Sequence, residues 1–474
     1  MASSNVAWAA AIGIALGVAY TASPLTIWFA VVMTGVFWWA GRGLSARERR
    51  FVWGVLTIAV AIRVVAIAAL FLTSHPHVTA SFFWDGDGVY LKHRAMAIRD
   101  VWSGIPISAV DFSNAFDRSY GWSSYLYVLA YLQYLTGPAP YGVHLFNVTM
   151  FVAAAVMLHR LARSAYGAAP ALLGLALMLL LPTLISWSVS ALKEALYIFL
   201  CAVGLMAVVS AIRATRMRER VLAVVLLAGA IAANNAVRAG ASVIMIAGIA
   251  SGLAGAIIVR RVALVLCVAL LLPLAAWRLW ERPDVQAKIM AQLKLSAVLH
   301  IGNVRTEGHP YKLLDQRIYS NNAIATMTPA EGLRFVVRAL VSFIVVPLPW
   351  QITSRSETVF LAQQVVWYLL VVLACVGLVA GVRRDALVTC LLGGLAASGG
   401  AVIAINSGNI GSMVRFRDTT VPFVVWLSAV GATSTLSWIV SRRDRSNSHA
   451  RGQRPPGEPI IEAASVRGPH SVFD

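Results

Sequence analysis

Two closely spaced carboxylates are the first residues along this chain that could do chemistry. They are Asp85 and Asp87 in the sequence SFFWDGDGVYLKHRA, residues 81–95, and each is followed by glycine. A carboxylate pair can act as the general base for a hydroxyl group or can share a divalent cation, because both tasks need an ionised oxygen near the reacting centre. The alternative is a solvated turn, since Asp and Gly are common turn residues.

A second ionisable pair interrupts the apolar sequence LPTLISWSVSALKEALYIF, residues 181–199. We expect Lys193 and Glu194 about two turns into an otherwise apolar helix. Ionisable residues inside a membrane span are unfavourable and usually face a polar cavity, so both are candidate substrate contacts and Lys193 could neutralise a phosphate. Alternatively, both side chains lie near the outer helix end and extend to the interface.

Three arginines are candidate ligands for an anion. Arg238 lies in AANNAVRAGAS, where the seventh and eighth predicted spans meet, and Arg415 and Arg417 lie in INSGNIGSMVRFRDTTVPF, residues 405–423. Guanidinium groups bind phosphate oxygens bidentately. With the neighbouring glycines and asparagine, Arg415 and Arg417 could form a backbone nest for an anionic headgroup or a diphosphate. The alternative is that they bind lipid phosphate only as an anchor.

A polar stretch, HIGNVRTEGHPYKLLDQRIYS, occupies the middle of the predicted loop 281–357. Loops of this length are often functional, and we expect this one to shape a substrate site, with His309 and Tyr311 as substrate contacts. His300 and His309 lack an HExxH or similar spacing, so we do not expect them to bind a metal ion.

The composition is that of a polytopic membrane protein. The chain has 474 residues, of which 59% are hydrophobic and only 12% are charged, and its mean hydropathy is +0.74. The net charge of +19 could indicate a nucleic-acid partner. However, the arginines form short clusters between apolar runs, as the positive-inside rule requires, so we expect no nucleic acid. The four cysteines lie in apolar runs, and neither a disulfide nor a metal-thiolate site is expected.

About twelve apolar runs are long enough to cross the roughly 30 Å hydrocarbon core as helices, which predicts an all-α fold. They cover residues 6–22, 24–40, 52–73, 145–162, 168–184, 187–211, 221–236, 240–258, 262–280, 358–381, 386–405 and 420–440. Residues 1–441 would thus form one transmembrane catalytic domain. The polar remainder, residues 442–474, is predicted to be a disordered basic cytoplasmic tail.

The basic clusters predict the orientation of the spans. If all clusters lie in the cytoplasm, both termini are cytoplasmic, and residues 74–144, 281–357 and 406–419 form external loops, with a short external turn near residues 183–190. Residues 122–136 and 331–350 cannot both be further spans in this arrangement. We therefore expect them to be interfacial or re-entrant helices.

The sequence WDGDGVYLKHRAMA, with the apolar segments that follow it as far as PTLISWSVSALKEALYIF, resembles the GT-C superfamily of glycosyltransferases. The resemblance covers about residues 52–240, and it is greatest to enzymes of the protein O-mannosyltransferase and aminoarabinose transferase kind. It implies an inverting transfer from a polyprenyl-phosphate sugar donor, activated by an acidic residue in the first large external loop. By position, Asp85 matches that residue, with Asp87 as its companion, and residues 88–136 match the interfacial helices of the family.

The later sequences VVPLPWQITSRSE and GNIGSMVRFRD are also similar to polysaccharide polymerases and ligases of the O-antigen type. Those proteins use external arginines on polyprenyl-diphosphate glycans, which gives an alternative within the same chemistry. An alternative of another class is a lipid-linked saccharide flippase or secondary transporter. A transporter often carries inverted repeats and ionisable residues near the midplane, whereas here the polar residues cluster at one face.

The expected function is therefore glycosyl transfer at the outer face of the plasma (inner) membrane, to a lipid, glycan or protein acceptor. Asp85 would be the base, and the phosphate ligands would be Lys193, Arg238, Arg415 and Arg417, with membrane lipids around the spans. No cofactor is required for a monophosphate donor. A diphosphate donor would favour Mg²⁺ or Mn²⁺, which Asp85 and Asp87 could hold.

Overall fold

The computed structural model describes residues 8–15, 17, 24–73, 86–118, 123–138, 141–306, 309–321, 323–351 and 358–452. Within these residues the regular structure is helical, apart from one isolated β-bridge. Numbered from Pro24, the helices are α1 (Pro24–Gly41), α2 (Ala46–Thr73), α3 (Gly86–Trp102), α4 (Ala109–Phe116), α5 (Ser124–Thr136), α6 (Gly142–Tyr166), α7 (Ala168–Leu180), α8 (Pro182–Val189), α9 (Glu194–Arg213), α10 (Met217–Val237), α11 (Ala241–Ile258), α12 (Val262–Trp280), α13 (Pro283–Val304), α14 (Gln316–Asn321), α15 (Pro329–Val345), α16 (Thr358–Asn406), α17 (Ile410–Arg417) and α18 (Val421–Gly452).

The described helices confirm a multi-pass membrane protein. Nine of them, namely α1, α2, α6, α9, α10, α11, α12, α16 and α18, are long and apolar enough to cross a bilayer. A tenth candidate is the pair α7 and α8, which is bent by 58° at the break between the two helices. Proline at the first position of α8 explains that break, because it removes a backbone donor and clashes with the preceding turn.

Helix α16 is a hairpin of two helices rather than one long rod. A straight helix of its 49 residues would extend about 70 Å, more than twice the hydrocarbon thickness. Asp385 has non-helical φ and ψ of −151° and 93°. A Cβ built on Gly393 would lie 3.2 Å from Leu378 Cδ1, so the second half packs back along the first. The two halves correspond to the predicted spans 358–381 and 386–405.

Close backbone contact holds this hairpin against α18. A Cβ on Gly377 would lie 1.8 Å from Leu427 O, and a Cβ on Gly431 would lie 1.9 Å from Leu373 O. Only glycine fits at either position, because the two backbones nearly touch there, as at many close helix crossings in membrane proteins. The packing fixes the first half of α16 against α18, the helix that follows α17 in the chain.

The helices predicted not to cross the membrane fall outside the spanning candidates. Helix α5 occupies most of residues 122–136, and α15 occupies most of residues 331–350. The N-terminus of α15 is fixed by a capping box, in which Thr328 and Glu331 each accept a hydrogen bond from the other's backbone N–H. Their position at the membrane interface stays a prediction.

The prediction of the tail was wrong over its first part. Helix α18 continues to Gly452, so residues 442–452 are helical where we expected disorder. Apolar spacing does not report such an extension, because a polar helix that continues a span needs no buried face. Residues 453–474 lie outside the described residues, as do residues 6, 7, 16 and 18–22 of the predicted first span, whereas residues 8–15 of that span are helical.

Candidate functional site

Arg415 joins three segments that are far apart in the sequence. Its Nη1 donates to Asp87 Oδ2 at 2.5 Å, while its Nε and Nη2 donate to Glu194 Oε1 at 3.2 and 3.1 Å. The Glu194 side chain is 3% exposed and that of Arg415 is 17% exposed. Burial alone would lower the pKa of Arg415, but the two carboxylates outweigh burial and raise it. Asp87 is the outer member of the group, with a side chain that is 49% exposed. We call Asp87, Glu194 and Arg415 the buried ionic cluster, after its buried Glu194–Arg415 pair.

Lys193 and Glu194 do not lie inside a helix as predicted. Helix α8 ends at Val189, residues 190–193 are non-helical, Lys193 is the N-cap of α9 and Glu194 is its first residue. The external turn predicted near residues 183–190 is wrong, because residues 182–189 form helix α8. The charged pair sits at a helix junction, where a carboxylate also interacts favourably with the N-terminal dipole of α9.

Buried side chains stabilise the non-helical backbone of this junction by donating hydrogen bonds to its carbonyl groups. Asn147 Nδ2 donates to Ser190 O at 2.7 Å and to Leu192 O at 2.8 Å. Tyr125 OH donates to Ala191 O at 3.1 Å. Because these buried carbonyls lie outside any helix, they need such side-chain donors. The sequence reasoning missed both donors, although each is a polar group within an otherwise apolar segment.

His144 extends the same support to helix α3. Its Nδ1 donates to Val189 O at 2.5 Å, and Lys92 Nζ lies 3.4 Å from its Nε2. Lys92 is on the helix whose first turn carries Asp87. The linker before Lys193 and the helix that presents Asp87 are therefore connected through one buried imidazole.

Two further cations lie beside the buried ionic cluster. The Arg238 guanidinium lies 4.9 Å from the Phe416 ring centroid and 5.8 Å from that of Tyr197, which fixes it by cation–π contact. Burial lowers the pKa of Lys193, with neighbouring Glu194 opposing that effect. Among the described residues, neither Lys193 nor Arg238 has a carboxylate within ion-pair distance. Both charges are available to an anionic ligand.

Arg417 is fully buried at the end of α17. Its Nη1 donates to Val346 O at 3.1 Å, and its guanidinium lies 4.8 Å from the Trp367 ring centroid. Its Nε and Nη2 are buried and have no hydrogen-bond partner among the described residues. Burial lowers the pKa of Arg417 to about 10. Two unused donors on a buried cation are unfavourable unless a ligand satisfies them.

Asp418 follows Arg417 and was not predicted. Its Oδ2 accepts a hydrogen bond of 2.7 Å from Trp187 Nε1, and Thr183 and Gln363 donate to it at 3.4 Å. Burial raises the pKa of Asp418 to about 7, against the opposing effect of Arg417. Its place between the predicted arginines and the next span could have drawn attention to it, but a single carboxylate carries no motif.

Cavities lie on both sides of α17. An apolar cavity of about 250 Å³ has Thr183, Gln363, Arg417 and Asp418 as the polar residues of its lining. Val366 lines this cavity and is also exposed on the outer surface, so the cavity reaches the surface that lipid chains would cover. A second cavity, of about 220 Å³, lies beside Arg238 and Phe416. We call it the polar cavity because Arg238 and several neutral polar side chains are among its lining residues, although most of its lining is apolar. Its lining residues are Tyr197, Arg238, Ala239, Gly240, Ile244, Leu299, Asn303, Gly399, Val402, Ile403, Asn406, Ser407, Phe416 and Thr419.

His309 and Tyr311 support α17 through the main chain. Tyr311 N donates to Gly408 O and Ile410 N donates to His309 O, both at 3.0 Å, around the β-bridge between Pro310 and Asn409. Tyr311 is 6% exposed and packs among apolar residues. We predicted both residues as substrate contacts, which stays a prediction. The bonds described here hold the start of α17.

The remaining predictions concern a nest, a base and a metal. The predicted nest around the two arginines is wrong, because the segment forms α17 and Gly411 N donates to the Asn409 side chain at 2.8 Å. Asp85 lies outside the described residues, so its predicted role stays a prediction. Among the described residues, no group of three or more His, Cys, Asp or Glu side chains could hold a metal ion.

Comparison with protein-family models, with curated proteins and with solved structures found no match to this chain. Any functional inference therefore has to come from the geometry of the site itself.

Proposed function

We propose that this protein is a glycosyltransferase that moves a sugar from a polyprenyl-phosphate donor to a lipid, glycan or protein acceptor at the non-cytoplasmic face of the cell membrane. One observation carries the proposal: acidic and basic side chains from separate segments meet at α17, between an apolar and a polar cavity. These side chains are Asp87, Lys193, Glu194, Arg238, Arg415, Arg417 and Asp418.

The charge balance of these residues favours an anionic ligand. The group has four cations and three carboxylates, so its net charge is +1 while Asp418 is ionised. Its net charge is +2 when Asp418 is protonated. Burying uncompensated charge is unfavourable unless a counter-ion binds. A phosphate group supplies that counter-ion and accepts several hydrogen bonds at once.

The two cavities suit the two ends of an amphiphile. The apolar cavity would take part of the prenyl chain, and Arg417, which is among its lining residues, would turn its unpartnered Nε and Nη2 toward the phosphate oxygens. The polar cavity beside Arg238 would take the hydrophilic head. In this arrangement the bond to be broken lies near α17, where the cations are concentrated.

Transfer breaks the bond between the anomeric carbon and the phosphate oxygen while the acceptor oxygen attacks that carbon. The phosphate leaves with the bonding electrons, and cations placed where this charge develops lower the barrier. The proton of the acceptor hydroxyl goes to a carboxylate. Asp87 is engaged by Arg415, so Asp85 and Asp418 are the two candidate bases. A pKa near 7 suits a base at neutral pH.

The test is a transfer assay with the full-length protein in lipid nanodiscs. The donor is a polyprenyl phosphate that carries a radiolabelled sugar, and the acceptors are separate lipid, glycan and protein fractions of a cell envelope. We expect label to move to one fraction, and Arg417→Gln to reduce the rate at least tenfold, as expected when a charge-assisted hydrogen bond is lost. Arg305→Ala, at an exposed position near the site, is the matched control.

Two outcomes would contradict the proposal. The first is that no fraction is labelled while the donor stays intact. The second is that the intact donor equilibrates across a vesicle membrane without sugar transfer, which would identify a flippase instead.

A further inference from the structure

We propose that the polar cavity beside Arg238 binds a second anionic group of the substrate, carried on a hydroxyl-bearing unit such as an acidic sugar. This inference builds on the proposed function, because it concerns the head group of the same donor or acceptor. The second anion is distinct from the lipid phosphate, which Arg417 would bind on the other side of α17.

The lining of the polar cavity carries a single charged side chain among the described residues. Among the described residues that line it, Arg238 is the only charged one, and the others are apolar or neutral polar groups. The nearest carboxylate in the buried ionic cluster, Glu194, is already engaged by two nitrogens of Arg415. A cation at the wall of a cavity without a carboxylate selects for an anion.

Two aromatic rings hold the Arg238 guanidinium in a fixed position. The Phe416 and Tyr197 rings contact its guanidinium, and among the described residues its side chain makes no hydrogen bond. Stacking on a ring uses the face of the guanidinium and leaves the N–H donors in its plane free. Those donors match the paired oxygens of a carboxylate or a phosphate.

The neutral groups indicate that the anion carries hydroxyls. Asn406 Nδ2 donates to Val402 O at 2.8 Å, but the buried Asn406 Oδ1 has no partner among the described residues. Asn303 Nδ2 is occupied by Asn406 O at 2.9 Å. An unused acceptor therefore lies in the wall of the cavity, behind its accessible surface, and a sugar hydroxyl would satisfy it when the Asn406 amide turns toward the ligand.

The size of the cavity limits the ligand to a small unit. Its volume of about 220 Å³ lies below the roughly 300–1,000 Å³ of sites for drug-sized ligands. One sugar residue suits this space better than an oligosaccharide does. The second anion could be a carboxylate on that sugar or a second phosphate next to it, and the binding chemistry is shared.

The experiment measures binding by saturation-transfer NMR on the full-length protein in phosphatidylcholine nanodiscs. The probes are glucuronate, glucose and inorganic pyrophosphate. For the wild type we expect glucuronate to bind about tenfold more tightly than glucose, the contribution of one charge-assisted contact. Arg238→Gln should remove that preference, and Arg305→Ala should keep it.

Asn406→Leu identifies the source of the anion. If the sugar carries the charge, this variant weakens glucuronate binding and leaves pyrophosphate binding unchanged. If pyrophosphate binds more tightly than glucuronate and Arg238→Gln abolishes that binding, the second anion is a phosphate. Equal binding of all three probes to the wild type and to Arg238→Gln overturns the inference.

Controls separate misfolding and the failure of the proposed function from the failure of this inference. Arg238→Lys keeps the charge and should retain part of the preference if the protein is folded. The NMR measurement needs no turnover, so glucuronate selectivity without sugar transfer would contradict the proposed function alone. Transfer that is indifferent to Arg238 and to the charge of the sugar would contradict only the second anion.

Discussion

Two clusters in this protein consist of the same kind of arginine–carboxylate ion pair, but they differ in how far their side chains are exposed. In the buried ionic cluster, Arg415 bonds Glu194, whose side chain is 3% exposed. In the predicted loop, Arg334 and Arg338 donate to Asp315 at 2.6 and 2.7 Å, and the two arginine side chains are 52% and 45% exposed. We call Asp315, Arg334 and Arg338 the surface ionic cluster.

Only one of the two clusters has the surroundings of a functional site. The surface ionic cluster is local, solvated and fastens helix α15 to the preceding loop, which explains it completely as a structural contact. The buried ionic cluster joins α3, α9 and α17, and two unpaired cations lie beside it. Buried charges are a poor way to gain stability. Their retention next to two cavities is more typical of a functional site.

The largest expected effect comes from breaking the buried ionic cluster. Arg415→Ala removes the only ion-pair partner of the buried Glu194 among the described residues, and we expect the free energy of unfolding to fall by about 3 kcal/mol, since Lys193 and Arg238 still compensate part of its charge. Unfolding in mixed micelles of increasing denaturing-detergent content measures this loss. Arg334→Ala is the matched control, and we expect it to have a much smaller effect because the side chain is exposed.

The double variant Arg415→Ala with Glu194→Gln removes both charges and therefore measures the coupling between them. It should recover part of the loss if the pair is coupled. Equal, small effects of Arg415→Ala and Arg334→Ala would contradict the distinction between the two clusters.

The next effect is a pH dependence from Asp418. Its pKa is about 7 in the folded state and near 3.8 ordinarily. Between these values the folded state keeps a proton that the unfolded state has lost, so stability falls as the pH rises from about 4 to about 7. Asp418→Asn should remove this slope, which amounts to at most a few kcal/mol. Thermal unfolding of both proteins from pH 4 to pH 8 measures it, and parallel curves would contradict a buried carboxylate here.

The smallest effect is the opposite slope from Asp315. Hydrogen bonds from Arg334 and then Arg338 lower its pKa. Its stabilisation is therefore present above the ordinary pKa and is lost as the pH falls through the lowered value. We expect Asp315→Asn to reduce stability by less than about 1 kcal/mol at neutral pH, because the cluster is solvated. The same thermal series checks this, and a difference that persisted at the lowest pH would speak against the ion pair as its cause.

The sequence predicted much of the site but little of how it is held. Lys193 was predicted because ionisable groups are unfavourable among apolar residues, and Arg238 and Arg415 were predicted because guanidinium groups bind anions. The three lie close enough together for Arg238 and Arg415 to lower the pKa of Lys193. The linker before Glu194 could not be predicted, because it depends on the donation of Asn147 to carbonyls more than forty residues away. The pattern of one chain segment carries no information on such a partner.

Burial was equally invisible in the sequence. Arg417 was grouped with Arg415 as an external-loop arginine, yet it is fully buried and faces Val346 O and the Trp367 ring. The fold-back at Asp385, in contrast, was predictable, because the sequence analysis places two separate spans at residues 358–381 and 386–405. Spans, basic clusters and candidate anion ligands follow from composition and spacing, whereas caps, cavities and unsatisfied groups follow from packing.

We propose that a lipid phosphate binds at Arg417, in the lining of the apolar cavity. The equilibrium binding of such a lipid to the protein measures this interaction without any need for turnover. Native mass spectrometry of the full-length protein with a polyprenyl monophosphate, and with the corresponding prenyl alcohol, measures the occupancy. We predict one saturable equivalent of the phosphate, at least tenfold weaker binding of the alcohol, and loss of this preference in Arg417→Gln but not in Arg334→Gln. Equal binding of phosphate and alcohol to all three proteins would contradict the claim.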